Sequence, residues 1–333
     1  MRAFNFKEQL CAIALLLLGS IGASVEAATL SVNCGGAYGL TSINAALKVL
    51  QNSEESHGPN TINVSGACHE NILIKGIDLL TIAGSPGASI TDASGGAADV
   101  VDIRTSRVTI TGMTIDGKNG VNNDAVDCEQ ASRCTLVGNT IQGDAEPVGV
   151  YTLSTALIVG GVLQNGTSDG LFAFGDVIAV GVQIQGNPVG VVVRQGGRVR
   201  VRVADPRSDP IQTVTPTTVA NNGAGIEVSE GAQFTCAGCV VEDNSGDGIH
   251  ADVSAAVTIG PGFFSDGSVL QPSLTRNTGY GVYLGDLSSG TFRGPAVTVT
   301  GNGQLDILCN SPTSVSRRAL AAAGGATHTN CAN

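Results

Sequence analysis

The sequence predicts an all-β protein whose single domain is a right-handed parallel β-helix, a coil in which each turn stacks on the turn before it. Similar phrases recur at residues 221–233, 244–256 and 277–289, each with Asn, then Gly-x-Gly, then Ile or Val. The composition favours extended structure, with 46 Gly, no Trp and only 14% charged residues. Short runs rich in Val, Ile and Thr are broken by Gly, Asn and Asp, which is typical of many short strands joined by tight corners.

One aliphatic residue in each repeat is taken as the anchor of a turn. Six of the eight intervals between anchors are 20 to 25 residues long, and the two longer intervals contain insertions at 204–216 and 260–273. A period of this length is typical of a solenoid, in which parallel strands of successive turns lie about 4.8 Å apart and bury one aliphatic column. The predicted anchors are Val101, Val126, Val150, Leu171, Val191, Ile226, Ile249, Val282 and Ile307.

The amino terminus has the features of a secretory signal peptide. Arg2 and Lys7 precede an apolar run at 10–18, and small residues follow as far as Ala27. The run is too short to cross a bilayer as a helix. We therefore expect residues 1–27 to be removed and residues 28–333 to be secreted, into a periplasm or the medium, without membrane insertion.

Both ends of a solenoid expose a layer of core that needs a cap. Residues 41–52 have the pattern of an amphipathic helix, which Thr41 or Ser42 would cap. The apolar stripe of this helix comprises Ile43, Ala46, Leu47 and Leu50. The tail, 309–333, lacks the anchor pattern, and we expect it to cover the last turn.

Eight cysteines remain once Cys11 is removed with the signal peptide. An even number in an exported protein favours disulfides. The predicted pairs are Cys34–Cys68, Cys128–Cys134, Cys236–Cys239 and Cys309–Cys331. Zinc at the CxxC motif is the alternative, but no second CxxC follows and the four His residues are scattered.

Asparagines recur a few residues before most anchors. At a tight bend, an Asn amide can bond backbone groups and the equivalent Asn of the next turn. The predicted ladder comprises Asn187, Asn222, Asn244, Asn277 and Asn302.

The net charge of −11 argues against nucleic acid as a partner. We expect a monomer whose partner is an extracellular or cell-wall polysaccharide, because a long solenoid face is the usual working surface of such folds.

The residue after each anchor points away from the core, since side chains alternate along a strand. This outward column is predicted to bind substrate, because its aromatic rings can stack on sugars and its polar groups can bond hydroxyls or move protons. Both insertions are expected to leave the coil on one side and to wall a groove near Glu227, His250 and Tyr283. Glu227 and His250 are the catalytic candidates. The column comprises Asp102, Asp127, Tyr151, Phe172, Val192, Glu227, His250 and Tyr283.

Arginines are concentrated in 191–207, in a chain that is otherwise short of cations. Alternation with Val puts Arg198, Arg200 and Arg202 on one side of a strand, where they could meet an acidic polysaccharide, with Arg200 as a third catalytic candidate. The alternative is a solvated strand face paired with nearby aspartates.

An acidic cluster suggests calcium as a cofactor, and no other cofactor is indicated. The predicted ligands are Asp116, Asp124 and Asp127, although their spacing is not that of an EF-hand loop.

The predicted layout resembles the secreted right-handed parallel β-helix proteins of the pectate-lyase-like superfamily. Locally, residues 61–90 and 165–180 resemble two segments of pectin methylesterases, the second being their G-T-x-D-F-I-F-G-N phrase. That likeness implies that Asp169 occupies the position of the family's nucleophilic carboxylate. The family's Q-D-T-L and L-G-R-P-W motifs are absent from this chain.

The favoured function is a divergent lyase acting on a uronic-acid-containing, pectin-like polysaccharide. A glycoside hydrolase is the second enzymatic possibility, since Asp102 and Asp127 would lie one turn apart, about 4.8 Å. A non-catalytic, adhesin-like glycan-binding protein is the alternative to both.

Overall fold

The chain forms a three-sided coil of stacked turns. The computed structural model describes residues 27–52, 58–118, 120–205, 214–293, 297–310, 315–317, 323–324, 328–329 and 331. Residues 1–26 of the predicted signal peptide and most of the first insertion lie outside the described residues. Strands are numbered β1 to β35 in chain order, and each complete turn contributes one strand to each of three faces.

Face 1 is built from strands that pair in parallel with the corresponding strand of the next turn. Its strands are β1 (Thr29–Cys34), β2 (Thr61–His69), β4 (Leu80–Gly84), β7 (Arg107–Thr111), β10 (Arg133–Val137), β13 (Thr155–Val159), β16 (Asp176–Val180), β19 (Arg198–Arg202), β22 (Gln233–Ala237), β25 (Ala256–Gly260), β30 (Ser289–Phe292) and β33 (Val315–Arg317).

Face 2 has short strands and is joined to face 1 through β2, which is long enough to pair on both faces. The other strands of face 2 are β5 (Ser89–Thr91), β8 (Thr114–Asp116), β11 (Thr140–Gln142), β14 (Val162–Gln164), β17 (Gln183–Gln185), β20 (Thr218–Ala220), β23 (Val240–Glu242), β28 (Ser273–Thr275), β31 (Val297–Thr300) and β34 (Ala323–Gly324).

Face 3 is an eleven-stranded parallel sheet, and it carries the predicted outward column. Its strands are β3 (Ile72–Lys75), β6 (Val101–Arg104), β9 (Asp124–Glu129), β12 (Glu146–Val150), β15 (Asp169–Ala173), β18 (Val189–Val193), β21 (Ala224–Val228), β24 (Ile249–Ala251), β29 (Val282–Leu284), β32 (Ile307–Cys309) and β35 (His328–Thr329).

The stacking confirms the predicted right-handed parallel β-helix. Ile226 is in register with Ile249, Ile249 with Val282, and Val282 with Ile307. These aliphatic residues are fully buried within one continuous core that runs through the coil. Each turn therefore covers the apolar interior of the next.

One predicted anchor is wrong. Val148, and not Val150, is in register with Val126 on one side and with Leu171 on the other. The interval from Val126 to the anchor is thus 22 residues and that from the anchor to Leu171 is 23, instead of the 24 and 21 predicted from the sequence. Val150 is also buried, but it occupies the next inward position of β12, beside Cys128 and Ala173.

The asparagine ladder is present as predicted. The Nδ2 of Asn244 donates to Oδ1 of Asn277 at 2.8 Å, and the same Oδ1 accepts the backbone N–H of Asn244 at 3.3 Å. Equivalent side-chain bonds join Asn187 to Asn222, Asn222 to Asn244, and Asn277 to Asn302. The ladder satisfies amides that are buried at the corner between faces 2 and 3.

The one helix of the described residues, α1 (Ile43–Gln51), covers the amino-terminal end of the core, as predicted. Ser42 is its N-cap, with Oγ accepting the N–H of Ala45 at 3.1 Å. The predicted stripe is buried. The carboxylate of Glu70 accepts the N–H groups of Ile43 and Asn44 at 2.7 and 3.0 Å, which ties the first turn of the helix to the coil.

All four predicted disulfides are formed, Cys34–Cys68, Cys128–Cys134, Cys236–Cys239 and Cys309–Cys331. In the tail, β33, β34 and β35 pair in parallel with the last strand of each face and so add a further winding. Within the described residues, no helix is long and apolar enough to cross a bilayer.

The two insertions do leave the coil on the same side. Each follows a face 1 strand and precedes a face 2 strand, and the second contains the antiparallel hairpin β26 (Gly262–Phe263) and β27 (Val269–Leu270). They touch where Ser265 donates to Asp205 Oδ2 from its N–H and hydroxyl, at 2.9 and 2.8 Å.

The prediction that the insertions wall a groove near Glu227 and His250 is wrong. Both insertions leave at the corner between faces 1 and 2, whereas Glu227 and His250 lie on face 3. A short face 2 strand separates each insertion from the Asn bend that leads into face 3.

Candidate functional site

The outward column on face 3 follows the predicted order, with one exception. The register aligns Asp102 with Asp127, Asp127 with Gly149, and Gly149 with Phe172. The column continues through Val192, Glu227, His250 and Tyr283. Gly149 therefore stands where Tyr151 was predicted, because Val148 is the anchor of that turn.

Tyr151 nevertheless reaches the same place on the face. A Cβ on Gly149 would lie 2.8 Å from Cε2 of Tyr151 and 1.9 Å from Oδ2 of Asp124, so both side chains occupy the space above the glycine. The Tyr151 hydroxyl donates to Asp124 Oδ2 at 3.1 Å. The absence of a side chain at position 149 is what allows this contact.

Three aromatic rings lie together beside this contact. The ring centroids of Phe172 and Phe174 are 4.5 Å apart. The centroid of Tyr151 lies 5.8 Å from that of Phe172 and 6.1 Å from that of Phe174. Phe172 and Phe174 remain partly exposed. The rings therefore offer an apolar surface on which a sugar could stack.

Three carboxylates, those of Asp102, Asp127 and Glu129, have oxygens within 4.8 Å of one another. Arg104 pairs with two of them, through contacts of 2.6 Å to Asp102 and 2.7 Å to Glu129. Asp127 is 7% exposed, and its Oδ1 is buried without a hydrogen-bond partner. Burial, reinforced by the charge of Asp99, raises the pKa of Asp127 to about 8.

Further carboxylates surround this group. Burial and the adjacent Glu146 raise the pKa of Asp124 well above its ordinary value. Asp169, the residue that the methylesterase-like segment places at a nucleophile position, is 8% exposed. Its pKa is raised to about 7, mainly by burial and also by the charges of Glu146 and Glu227. Asp124, Asp127 and Glu129 are close together in the sequence, but Asp102, Glu146 and Asp169 join them only through the stacking of neighbouring turns.

The predicted calcium ligands do not come together. Asp116 lies on β8 of face 2, where its carboxylate accepts the N–H of Lys118 at 3.0 Å, whereas Asp124 and Asp127 lie on β9 of face 3. On face 3, the described group that is close enough to share a cation is instead Asp102, Asp127 and Glu129; a second group, Cys34, Cys68 and Glu70, contains the Cys34–Cys68 disulfide. The chemistry of the face 3 group fits calcium poorly, because the Arg104 guanidinium already neutralises two of the three carboxylates.

Further along the column, Arg194, Glu227, Val228, Ser229, His250 and Asp252 line a cavity of about 280 Å³. The Nδ1 of His250 lies 2.9 Å from Asp247 Oδ2, and its Nε2 lies 3.8 Å from Asp252 Oδ2. The imidazole stacks on Tyr283, with centroids 4.3 Å apart and planes inclined by 16°. The hydrogen bond to Asp247 raises the pKa of His250.

Arg200 does not share this face with Glu227 and His250. Arg198, Arg200 and Arg202 lie on β19 of face 1, where Val199 and Val201 are buried between them as the alternation predicts. The chain turns between faces 3 and 1 at Gln195 and Gly196, which both have positive φ.

Arg194 is the arginine that lines the cavity, with Nη2 3.6 Å from Glu227 Oε2. It lies two residues after the outward Val192, so the alternation that predicted the column could have identified it.

A larger groove of about 630 Å³ lies near the amino-terminal end, between Tyr38 and the Ser and Asn side chains of β1 and β2. Its lining, as far as the described residues show, contains no carboxylate or imidazole, so acid–base chemistry favours the cavity at His250.

A protein-family model described as "Right handed beta helix region" matches residues 99–264. Comparisons with curated proteins and with solved structures found no match. The match agrees with the fold. It does not confirm the local resemblance to pectin methylesterases.

Proposed function

We propose that this right-handed β-helix is an exported protein that binds polysaccharide along the outward column of face 3. We further propose that it cleaves a uronic-acid-containing chain by β-elimination in the cavity at His250. The observation that carries the proposal is that Arg194 and an imidazole oriented by Asp247 line the same cavity. Disulfides at both ends are compatible with an extracellular protein.

β-Elimination at a uronide has three requirements. The sugar carboxylate must be neutralised, a base must remove the proton on C5, and the leaving oxygen on C4 must receive a proton. The electron pair of the C5–H bond forms the C4–C5 double bond as the C4–O bond breaks. No water is consumed, so the product carries an unsaturated uronide.

Arg194 is assigned to the substrate carboxylate. Its contact to Glu227 is long, at 3.6 Å, and both side chains are more than one-third exposed, so the guanidinium can exchange this partner for the substrate. A guanidinium presents two parallel N–H groups to a carboxylate, which fixes the sugar ring.

His250 is assigned as the base, and then as the acid that returns the same proton to the leaving oxygen. Asp247 accepts the Nδ1 hydrogen, which leaves Nε2 as the free nitrogen of the neutral imidazole. Glu227, in register with His250, is a positioning residue that holds Arg194 at the cavity until the substrate carboxylate replaces it. Arg200 has no part in this chemistry because it lies on face 1.

The column supplies the binding surface. From Asp102 to Tyr283 it crosses eight successive strands, or seven spacings, which corresponds to about 34 Å at about 4.8 Å per strand. Val192, in the middle of the column, is fully buried, so the accessible side chains lie on either side of it. This length suits an extended glycan of several units, with ring stacking on Phe172 and Phe174.

Glycoside hydrolysis is a second candidate, favoured by one observation. Carboxylate oxygens of Asp102 and Asp127 lie within 4.8 Å of each other, close to the separation of about 5 Å in retaining glycosidases. Asp127, with its raised pKa, would be the acid and the Arg104-paired Asp102 the nucleophile.

Incubation of the protein with polygalacturonate, alginate and neutral glycans, with calcium or with a chelator, tests the proposal. Ultraviolet absorbance of unsaturated uronides is the expected product signal. New reducing ends without that absorbance would establish hydrolysis instead, and retention on a glycan column without turnover would establish a binding protein. The double variant Glu227→Ala/His250→Ala should lose the activity, whereas Glu230→Gln, an exposed carboxylate at the next corner, should keep it.

A further inference from the structure

The first half of face 3 holds more carboxyl groups than basic side chains that could pair with them. Arg104 pairs with Asp102 and Glu129, and Arg194 lies against Glu227. Across the described residues, no ion pair to a basic side chain is formed by Asp124 or Asp127. An ionised carboxylate is costly to bury without a cation, so a positively charged ligand would stabilise the ionised form of these two groups.

Asp127 provides a second, independent sign of a missing ligand. Its side chain belongs to the outward column and is 7% exposed, yet its Oδ1 has no hydrogen-bond partner. The next column position is Gly149, above which the Asp124 carboxylate and the Tyr151 ring lie. The unpartnered oxygen is therefore buried beside one further carboxyl group and one aromatic ring, and a ligand would have to displace part of this cover to reach it.

Aromatic rings extend this surface toward the carboxyl terminus. Phe172 is the next residue of the column after Gly149, and its centroid lies 5.8 Å from that of Tyr151. Carboxylates next to exposed ring faces are suited to an organic cation, because the rings attract positive charge and also cover apolar C–H groups. A bare metal ion, by contrast, would gain nothing from the rings.

We infer that Asp124, Asp127, Tyr151 and Phe172, here called the acidic–aromatic patch, bind the ammonium group and ring of a protonated amino sugar. The carboxylates accept the N–H donors of the ammonium, and Tyr151 and Phe172 stack on the sugar. The patch is three to five strands from His250 on the same face. It would thus select glycans that carry free amino groups, whether or not the cleavage proposed above occurs.

Isothermal titration of the full protein with a β-1,4-linked glucosamine tetramer tests the inference. The expected result is binding that the N-acetylated tetramer, which lacks the positive charge, does not show. Asp127→Asn should weaken binding about ten-fold or more, because it removes a buried charge partner. Phe172→Ala should weaken it by a smaller factor through loss of stacking.

Asp176→Asn is the matched control, since Asp176 is an exposed carboxylate on face 1. Equal binding of the acetylated tetramer would overturn the inference, because charge would then play no part. Equal binding by wild type and Asp127→Asn would overturn it as well, by showing non-specific attraction of a cation to an acidic protein. Displacement of the tetramer by stoichiometric calcium would identify a metal site in its place.

The test is independent of the proposed cleavage. His250→Ala should abolish release of unsaturated uronides and retain the tetramer, so that loss of one property does not imply loss of the other. Circular dichroism of each variant verifies the fold. Tyr151→Phe, which keeps the ring and removes only the bond to Asp124, gives a second, milder probe of the patch.

Discussion

The Nδ1 atom of His250 lies 2.9 Å from Oδ2 of Asp247, three residues earlier in the chain. This contact fixes the plane of the imidazole between Asp247 and the ring of Tyr283. It also raises the pKa of His250, since the carboxylate stabilises the imidazolium.

Cleavage by the neutral imidazole should therefore increase as the pH rises through the raised pKa of His250. Asp247→Asn removes the carboxylate charge, so the pKa falls and the rising limb of the profile moves to lower pH. His250→Ala should reduce the rate by roughly 10²- to 10⁴-fold. The measurement is kcat against pH, with the exposed Asp266→Asn as control. A profile that Asp247→Asn leaves unmoved would exclude His250 as the base.

Ionisation of the buried Asp127 carboxyl group should lower the free energy of unfolding as the pH rises. Its pKa is about 8 when folded, against an ordinary value of 3.8, so the folded state binds more protons than the unfolded state between these values. The free energy of unfolding should fall from about pH 4 to pH 8 and become level above that range.

Asp127→Asn keeps the shape of the side chain and cannot ionise. At pH 8 this variant should be more stable than wild type by more than about 1 kcal/mol, and the two should converge near pH 4. Thermal melts at both values check this, with Asp176→Asn as control. A variant that is less stable at pH 8 would mean that the carboxylate is stabilised by a partner.

Asn244→Ala should destabilise the coil by about 2–4 kcal/mol. The amide bonds Asn277 and the carbonyl of Val219, and its Oδ1 accepts from Asn222, so its loss leaves buried groups without partners. Urea denaturation measures the change. Asn63→Ala, an exposed position on β2, should change stability by less than about 0.5 kcal/mol, and equal effects at the two sites would contradict the ladder's role.

Gly149→Ala should separate Tyr151 from Asp124, because the new methyl group would lie within 1.9 Å of the Asp124 carboxylate. We expect a loss of about 1–3 kcal/mol. Burial and the nearby Asp124 raise the pKa of the Tyr151 hydroxyl. In an alkaline titration followed by tyrosinate absorbance, one tyrosine should ionise late in wild type and earlier in the variant. Tyr151→Phe identifies the late transition.

Periodicity was sufficient to predict the coil, its buried column and the asparagine ladder. These features depend on residue types that repeat with the turn, such as Ile226, Ile249 and Val282. The helix could be predicted because Ser42 and its apolar stripe are local signals.

The corners and their exact registers could not be predicted in the same way. Gly196 and Gly197 indicate a turn, but Gln195 takes a positive φ without being a glycine, so the residue types alone did not define the turn that sends Arg194 and Arg200 to different faces. Val148 and Val150 are both buried Val residues of one strand, and only the neighbouring strands decide which of them is the anchor. The charge excess around Asp124 and Asp127 arises from stacking of residues that are distant in the chain.

The asparagine ladder also has a net dipole that runs along the axis of the coil. Each amide from Asn187 to Asn277 donates toward the carboxyl-terminal neighbour, so the side-chain dipoles align head to tail. The last donor, Asn302 Nδ2, meets the carboxylate of Asp306 at 2.9 Å. A row of aligned dipoles attracts an anion at its N–H end, as the start of an α-helix does. Asp306 thus terminates the row with a favourable charge, and the fold carries its own capping group for a stack of amides.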